Sequence, residues 1–292
     1  MLCHVERRFE ILNNQKTFVP LGHFYSPIPD YEEIKNNEER IFSAGPRTMS
    51  GIDLREHEQF ELLQNFQQYY NKQPFSLPPS NLRYFIGNSC YSHSDAIFLL
   101  SMICDLKPQR IIEVGSGFSS CAILDINELY FHNKIECTFI EPYPDRFLTL
   151  IRKDDSVRNT IIIQRLQDIP IAAFKALVKN DILFIDSTHV VKTFSDVHYL
   201  FSTILPNLNV GVHIHFHDIF YPFEYPKAWV YEGRGWNEAY FLRAFLQFNN
   251  CFEVTFFSTF LIHYYEDWFK QHMPLCIKDK GGGSLWIKKV GR

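Results

Sequence analysis

The sequence has no cluster of basic residues, no C-x-x-C pair, no internal repeat and no apolar run long enough to cross a bilayer. Each absence removes a class of function. A formal charge of −4 without a basic patch lacks the electrostatic footprint of a nucleic-acid binder. The seven cysteines (Cys3, Cys90, Cys104, Cys121, Cys137, Cys251, Cys276) are scattered, several within apolar runs where a thiol serves as a small hydrophobe. That usage points to a reducing compartment and no disulfide framework. With no membrane span, and with an N-terminus (M-L-C-H-V-E-R-R) too polar for a secretory leader, the expectation is a cytoplasmic protein without a membrane partner. What is abundant is aromatic: 28 phenylalanines and 15 tyrosines. Most must be core, while residues 220–225 and 229–240 are candidates for a pocket wall. A chain of 292 residues can bury a large core and hold one α/β domain with an appendage.

The chain is organised around residues 110–121, R-I-I-E-V-G-S-G-F-S-S-C. A short apolar run ends in an acid, then come two glycines one residue apart, then small residues that open a helix. Gly115 and Gly117 let the backbone pass close under a ligand, and Ser119 and Ser120 begin a helix whose N–H groups face it. The acid Glu113 precedes this turn, and a second acid, Glu141, ends the apolar run C-T-F-I. A carboxylate at the C-terminal end of a strand in a doubly wound sheet lies over the ligand crevice, where it can take the hydroxyls of a ribose. The longer G-x-G-x-x-G spacing of dinucleotide-binding dehydrogenases is absent.

These residues resemble the first two motifs of the class I S-adenosylmethionine-dependent methyltransferases, an acid-x-Gly-x-Gly-x-Gly loop followed by an acid ending the second strand. Here the loop reads Glu113-Val-Gly115-Ser116-Gly117-Phe-Ser119, with serine at the third glycine. The resemblance implies that Glu113, Gly115, Ser116, Gly117, Ser119 and Glu141 hold the methyl donor, S-adenosylmethionine. It also implies that Gln167 or Asp168, just past the third strand, reaches the adenine amino group; a helix cap before Pro170 is an equal reading of those two.

Along the chain, residues 1–50 look irregular, punctuated by Pro20, Pro27, Pro29 and Pro46. Helices are expected at 54–70 and at 92–106, the second capped by Ser92 or Ser94. Residues 1–105 are read as an N-terminal cap and 106–292 as the donor-binding domain. From Arg110 onward strands and helices alternate, the pattern of a mostly parallel, Rossmann-like doubly wound sheet. Strands are expected at 111–114, 137–140, 160–163, 182–185 and 211–216, with helices at 119–129, 144–151, 171–178 and 192–205. After a long loop without secondary structure of its own come a helix from residue 236 and a late strand pair, 252–257 and 284–288. Such a late pair, with an antiparallel closing strand, is how the methyltransferase sheet ends.

The fourth strand delivers Asp186, followed by Ser187, Thr188 and His189; the fifth delivers His217 and Asp218. Ends of neighbouring parallel strands share one crevice, so Asp186, His217 and Asp218 form a candidate divalent-metal set beside the donor, with Asp186 counted among the donor contacts too. Oxygen ligands favour magnesium, and one nitrogen also admits manganese, iron or zinc. His213, His215 and His217 share one side of their strand, but steps of roughly 6.5–7 Å keep three such rings from one ion, so His213 and His215 are read as structural. Asp186-Ser-Thr-His189 resembles the Asp-x-x-His motif of metal-dependent sugar and antibiotic O-methyltransferases related to the cephalosporin-hydroxylase-type family. That resemblance makes His189 the general base. At the fifth strand His217-Asp218 stands where that family has an acidic pair.

The implied activity is O-methylation of a hydroxyl on a sugar, glycan or small secondary metabolite. Two alternatives stay open: a metal-independent methyltransferase acting on a nitrogen or carboxyl group, and a catalytically silent domain of the same fold. Glu113, Glu141, Asp186 and His189 together weigh against silence. Tyr221, Tyr225, Trp229 and Trp236 in the long loop suit a lid over a ring-shaped acceptor, or equally a contact in a homo-oligomer, while Asn237 and Glu238 read as a helix cap.

Overall fold

The computed structural model describes residues 17–43, 45–78, 81–91 and 93–291. Chain contacts divide it into a smaller unit, Met1–Ser43 with Pro226–Gly235, and a larger one, Ala44–Tyr225 with Trp236–Arg292.

The larger unit is built on seven strands: β1 Arg110–Val114, β2 Glu136–Ile140, β3 Thr160–Ile162, β4 Ile182–Ile185, β5 His213–Phe216, β6 Phe252–Phe257 and β7 Leu285–Lys289. Their order is β3-β2-β1-β4-β5-β7-β6. The pairs β1–β2, β1–β4, β2–β3 and β4–β5 are parallel, and β7 runs antiparallel to both β5 and β6. The expected Rossmann-like sheet with one antiparallel closing strand is therefore the fold found, its strand limits within two residues of the expected ones. Strands β4 and β5 are buried at every position because helices cover both faces, which is why they read as runs rather than alternations.

Two helices before β1 pack on the far end of the sheet. In Glu56–Tyr70, Phe66 meets Phe256 at 5.2 Å, and in His93–Leu106, Phe98 meets the same ring at 4.9 Å. Gln59 is fully buried because it finishes the edge strand, accepting from the N–H of Phe257 at 2.6 Å. Of the two expected caps for the second helix, Ser92 lies outside the described residues. Ser94 does not cap: its N–H and hydroxyl both bond Asp279, tying the helix to the loop before β7.

Three stretches read as irregular contain short helices. Tyr31–Asn36 starts from Asp30, whose carboxylate accepts from Glu32 N at 2.8 Å, and Glu38–Ile41 follows it. Lys227–Tyr231 begins after Pro226 within the long loop, and Ser258–Tyr264 and Glu266–His272 lie between β6 and β7. Helices of seven residues or fewer complete too few turns to show a 3.6-residue period in sequence. Within the smaller unit, Glu38 receives both Lys227 Nζ and Tyr231 Oη at 2.6 Å, which joins its two chain segments. Among the described residues no helix is long and apolar enough to cross a membrane.

Candidate active site

The site lies at the C-terminal ends of β1, β2, β4 and β5. Gly115 closes β1 at φ +83°, and a Cβ there would stand 1.8 Å from the carbonyl oxygen of Asp186. Only glycine lets the two strand ends meet this closely. The contact is reinforced by Asp186 N–H donating to Val114 O at 2.8 Å. Glu141 ties the loop to β2: one carboxylate oxygen accepts from Ser116 N at 3.1 Å, the other from Tyr143 N at 2.8 Å.

Glu113 sits beneath this loop with no exposed surface. Ser120 Oγ donates to its Oε2 and in turn accepts from Gly117 N at 3.0 Å. Burial, against the pull of the Ser119 and Ser120 hydroxyls, pushes the Glu113 carboxyl up to about 8. Its Oε1 and the neighbouring Ser116 Oγ are buried without a hydrogen-bond partner among the described residues. Orphaned polar atoms in a loop of this kind are where a polar ligand fits. Gln167 and Asp168 lie just beyond β3 and are otherwise engaged: Gln167 Nε2 donates to Phe194 O at 2.7 Å, and Asp168 accepts from Arg165 Nε at 3.0 Å.

His189 occupies the centre. It adopts φ +60°, and Asp218 adopts φ +59°, left-handed conformations uncommon outside glycine and asparagine. His189 Nδ1 lies 2.8 Å from Glu238 Oε2; its Nε2 lies 3.3 Å from Asp186 Oδ1 and 3.8 Å from Asp218 Oδ2. Glu238 is 1% exposed and also accepts from Ser187 Oγ at 3.2 Å. The N–H groups of Asn237 and Glu238 both donate to His189 O, at 3.0 and 3.1 Å, and the Trp236 ring covers the imidazole at 4.2 Å. Burial opposes the charged ring, but the Asp186 and Glu238 carboxylates outweigh it and raise His189 well above its ordinary value. Burial likewise works to raise Asp186, and the bond to His189 prevails, holding that carboxyl below its usual range. Asp218 is raised by burial against the pull of His217 and His189.

The ligand atoms of Asp186, His189 and Asp218 all lie within 4.8 Å of one another. This trio differs from the set read in the sequence: it takes in His189 and not His217. The strand end explains the difference. Asp218 turns at its positive φ, and Gly283, which accepts from Ile219 N at 3.1 Å, packs against its backbone. His217 stays on the buried side of β5, its Nε2 3.4 Å from Asp218 Oδ1 and its ring beside Tyr91 at 5.1 Å. Two carboxylates and an imidazole whose far nitrogen is held by a third carboxylate suit a divalent cation of the magnesium–manganese–iron–zinc range.

Glu238 is the residue the sequence reading missed as a site member. An acid opening a helix right after Asn237 looks like a dipole partner, and its true partner is 49 residues away. The loop aromatics also divide unexpectedly. Tyr225 is buried, its hydroxyl oxygen accepting from Ala239 N at 3.0 Å, and Phe223 is 1% exposed, so both anchor the loop instead of lining a wall.

Residues 112–219, from β1 through Asp218, match a family model described as a methyltransferase domain. An uncharacterized protein of Archaeoglobus fulgidus is 37% identical over 166 residues, which are 55% of this chain and 74% of that protein. A Podospora anserina methyltransferase with S-adenosylhomocysteine bound is 15% identical with a TM-score of 0.43, over 82% of this chain and 93% of that one. The O-methyltransferase TomG of Streptomyces achromogenes, involved in tomaymycin synthesis, is 14% identical with a TM-score of 0.42, over 80% of this chain and 90% of that one. The matched residues carry the glycine loop, Glu141 and the Asp186–His189–Asp218 trio, so these parts of the candidate site lie within the stretch that is similar to a methyltransferase domain.

Proposed function

We propose that this chain is a methyltransferase acting on a hydroxyl group, with His189 as general base, and that the acceptor is a sugar, a glycan or another small hydroxylated metabolite. The observation that carries this reading is the imidazole fixed between Glu238 at Nδ1 and the open corner formed by Asp186 and Asp218 at Nε2. An aliphatic hydroxyl is a weak nucleophile until its proton leaves. Once the ring has lost its second proton, Glu238 favours the tautomer protonated at Nδ1, which leaves the lone pair on Nε2, and then stabilises the imidazolium that forms again. Proton removal by a positioned base contributes about 10²- to 10⁴-fold in rate. S-adenosylmethionine supplies an electrophilic methyl on a sulfonium that is already a good leaving group. Glu141 is assigned to the ribose hydroxyls, Glu113, Gly115, Ser116, Gly117 and Ser119 to the rest of the donor pocket, and Gln167 or Asp168 to the adenine.

Asp186 and Asp218 are assigned to a divalent cation, magnesium or another of similar preference, whose charge lowers the pKa of a nearby hydroxyl. A second reading is favoured by the close approach of three ligand atoms: His189 Nε2 itself ligates the cation. A nitrogen that ligates cannot also accept the acceptor's proton, so the two readings exclude each other at that atom. Calorimetric titration of S-adenosylmethionine, before and after a chelator, followed by cation titration of Asp218→Asn and His189→Ala, separates them. Cation binding lost with Asp218→Asn but kept in His189→Ala supports the base. Loss in both makes His189 a ligand. Donor binding with no cation under any condition leaves His189 as base and opens nitrogen and carboxyl acceptors.

A further inference from the structure

Arg146 belongs to the helix Asp145–Leu150, five residues past Glu141, yet its guanidinium reaches the glycine loop. A Cβ on Gly117 would stand 3.1 Å from Arg146 Nη2, so this cation lies directly over the loop at the start of the helix Phe118–Phe131. Among the described residues no carboxylate lies within ion-pairing distance of it, and its polar contact is Cys90 Sγ at 3.6 Å. The arginines of this chain that are placed near an acid use it: Arg83 is clamped by Asp125, Asp155 and Glu128, and Arg110 meets Glu136. Arg146 stands beside the acids of the donor pocket without being paired to any of them.

The chemistry of the pocket says what such a cation is for. Glu113, Glu141, Asp186 and Asp218 line it with acidic side chains, which suit the sulfonium, ammonium and hydroxyl groups of the donor but offer no positive charge to the carboxylate at its amino-acid end. That carboxylate needs a positive partner. Helix-start N–H groups supply part of it, and the buried, unpartnered Ser116 Oγ one residue from Gly117 adds a donor. We propose that Arg146 is the anion-binding residue of the donor site and takes the α-carboxylate of S-adenosylmethionine. This rests on the donor reading above. The planar guanidinium matches a carboxylate through two parallel hydrogen bonds, a geometry that lysine does not reproduce. The same positive charge helps hold Asp186 ionised.

The test compares two ligands on the full-length chain by calorimetry: S-adenosylmethionine and its decarboxylated analogue, which lacks only the carboxylate. Arg146→Ala should weaken S-adenosylmethionine about ten- to hundred-fold and the decarboxylated analogue less than about twofold, with Arg146→Lys in between. Because Arg146 is exposed, its removal should leave the thermal midpoint unchanged, which is checked in parallel. Equal weakening of both ligands, or none of either, overturns the assignment. If the wild-type chain binds neither ligand, the donor reading fails, and the assignment falls with it; that outcome differs visibly from wild-type binding that Arg146→Ala leaves intact.

Discussion

His189 and His215 are both buried, at 4% and 0% exposure, the first in the loop after β4 and the second within β5, yet their surroundings are opposite. His215 stacks on Phe184 at 4.1 Å and meets a tilted Trp286 at 4.7 Å, and among the described residues neither ring nitrogen has a hydrogen-bond partner. Burial drives its pKa well below the ordinary value, and the nearby His217 adds to this. His189 has carboxylates at both nitrogens and is driven the other way. Depth is common to the two; charge partners separate them. A buried histidine becomes a chemical group when the fold brings acids to it, and otherwise behaves as an aromatic core residue.

Substitution at the two rings should break this comparison most sharply. His189→Ala is expected to lower turnover by about 10²- to 10⁴-fold with S-adenosylmethionine affinity retained in calorimetry. His215→Phe should leave turnover unchanged. Full activity in His189→Ala excludes the base; a large loss in His215→Phe dissolves the distinction. Glu238→Gln comes next, with turnover falling about 10- to 100-fold as the ring loses its orienting partner. Because that carboxylate helps raise the His189 pKa, its loss should also move the acid limb of the pH–rate profile to lower pH.

Stability against pH sharpens the same contrast through sign. His213 is pushed down to about 4 by burial, with the Lys288 charge acting the same way. Between pH 6.5 and 4 the unfolded chain takes up a proton there that the native chain refuses, so this group makes stability fall as pH falls, by about 3 kcal/mol over the window. His189, raised above its unfolded value, contributes stability that is present below pH 6.5 and is lost as pH rises through its folded pKa. Denaturant midpoints of His213→Leu should therefore show a flatter acid slope than wild type. The smallest effect is expected at Glu113: a carboxyl raised to about 8 is mostly neutral at pH 7, and Glu113→Gln replaces it with an amide of the same shape. Near pH 4, where the unfolded carboxyl is largely protonated too, its unfolding free energy should stay within about 0.5 kcal/mol of wild type. As pH rises the variant should become the more stable, because the wild-type chain must take up a proton there on folding.

The sequence made the donor-side features legible because they are local. The glycine loop, the acids ending β1 and β2, and the Asp186–His189 spacing are each set by a few consecutive residues and the two-residue period of a strand. The single antiparallel closing strand was implied by the resemblance of the late strand pair to the end of a methyltransferase sheet, and β7 runs that way. Glu238 was not legible, since its meaning depends on His189 lying against a helix start that follows it by 49 residues. The displacement of His217 from the acid trio was hidden too. It follows from the left-handed turn at Asp218 and the backbone of Gly283, a contact across β5 and β7 that no local pattern announces. The short helices of the smaller unit fell below the length at which periodicity speaks.

The seam between Gly115 and Asp186 has one more consequence. The α-carbon of the loop glycine rests on the carbonyl of Asp186, and the hydrogen bond from Asp186 N to Val114 O at 2.8 Å closes the joint. There is no slack through which one strand end could adjust without the other. Events at the glycine loop and at the acid corner then belong to one thermodynamic cycle. Whatever factor a cation contributes to donor affinity, the donor must return to cation affinity, and four titrations around the square must sum to zero. On the proposed assignment of a cation to Asp186 and Asp218, loading in either order leads to the same ternary state, and a larger residue at position 115 would disturb both halves of the square together.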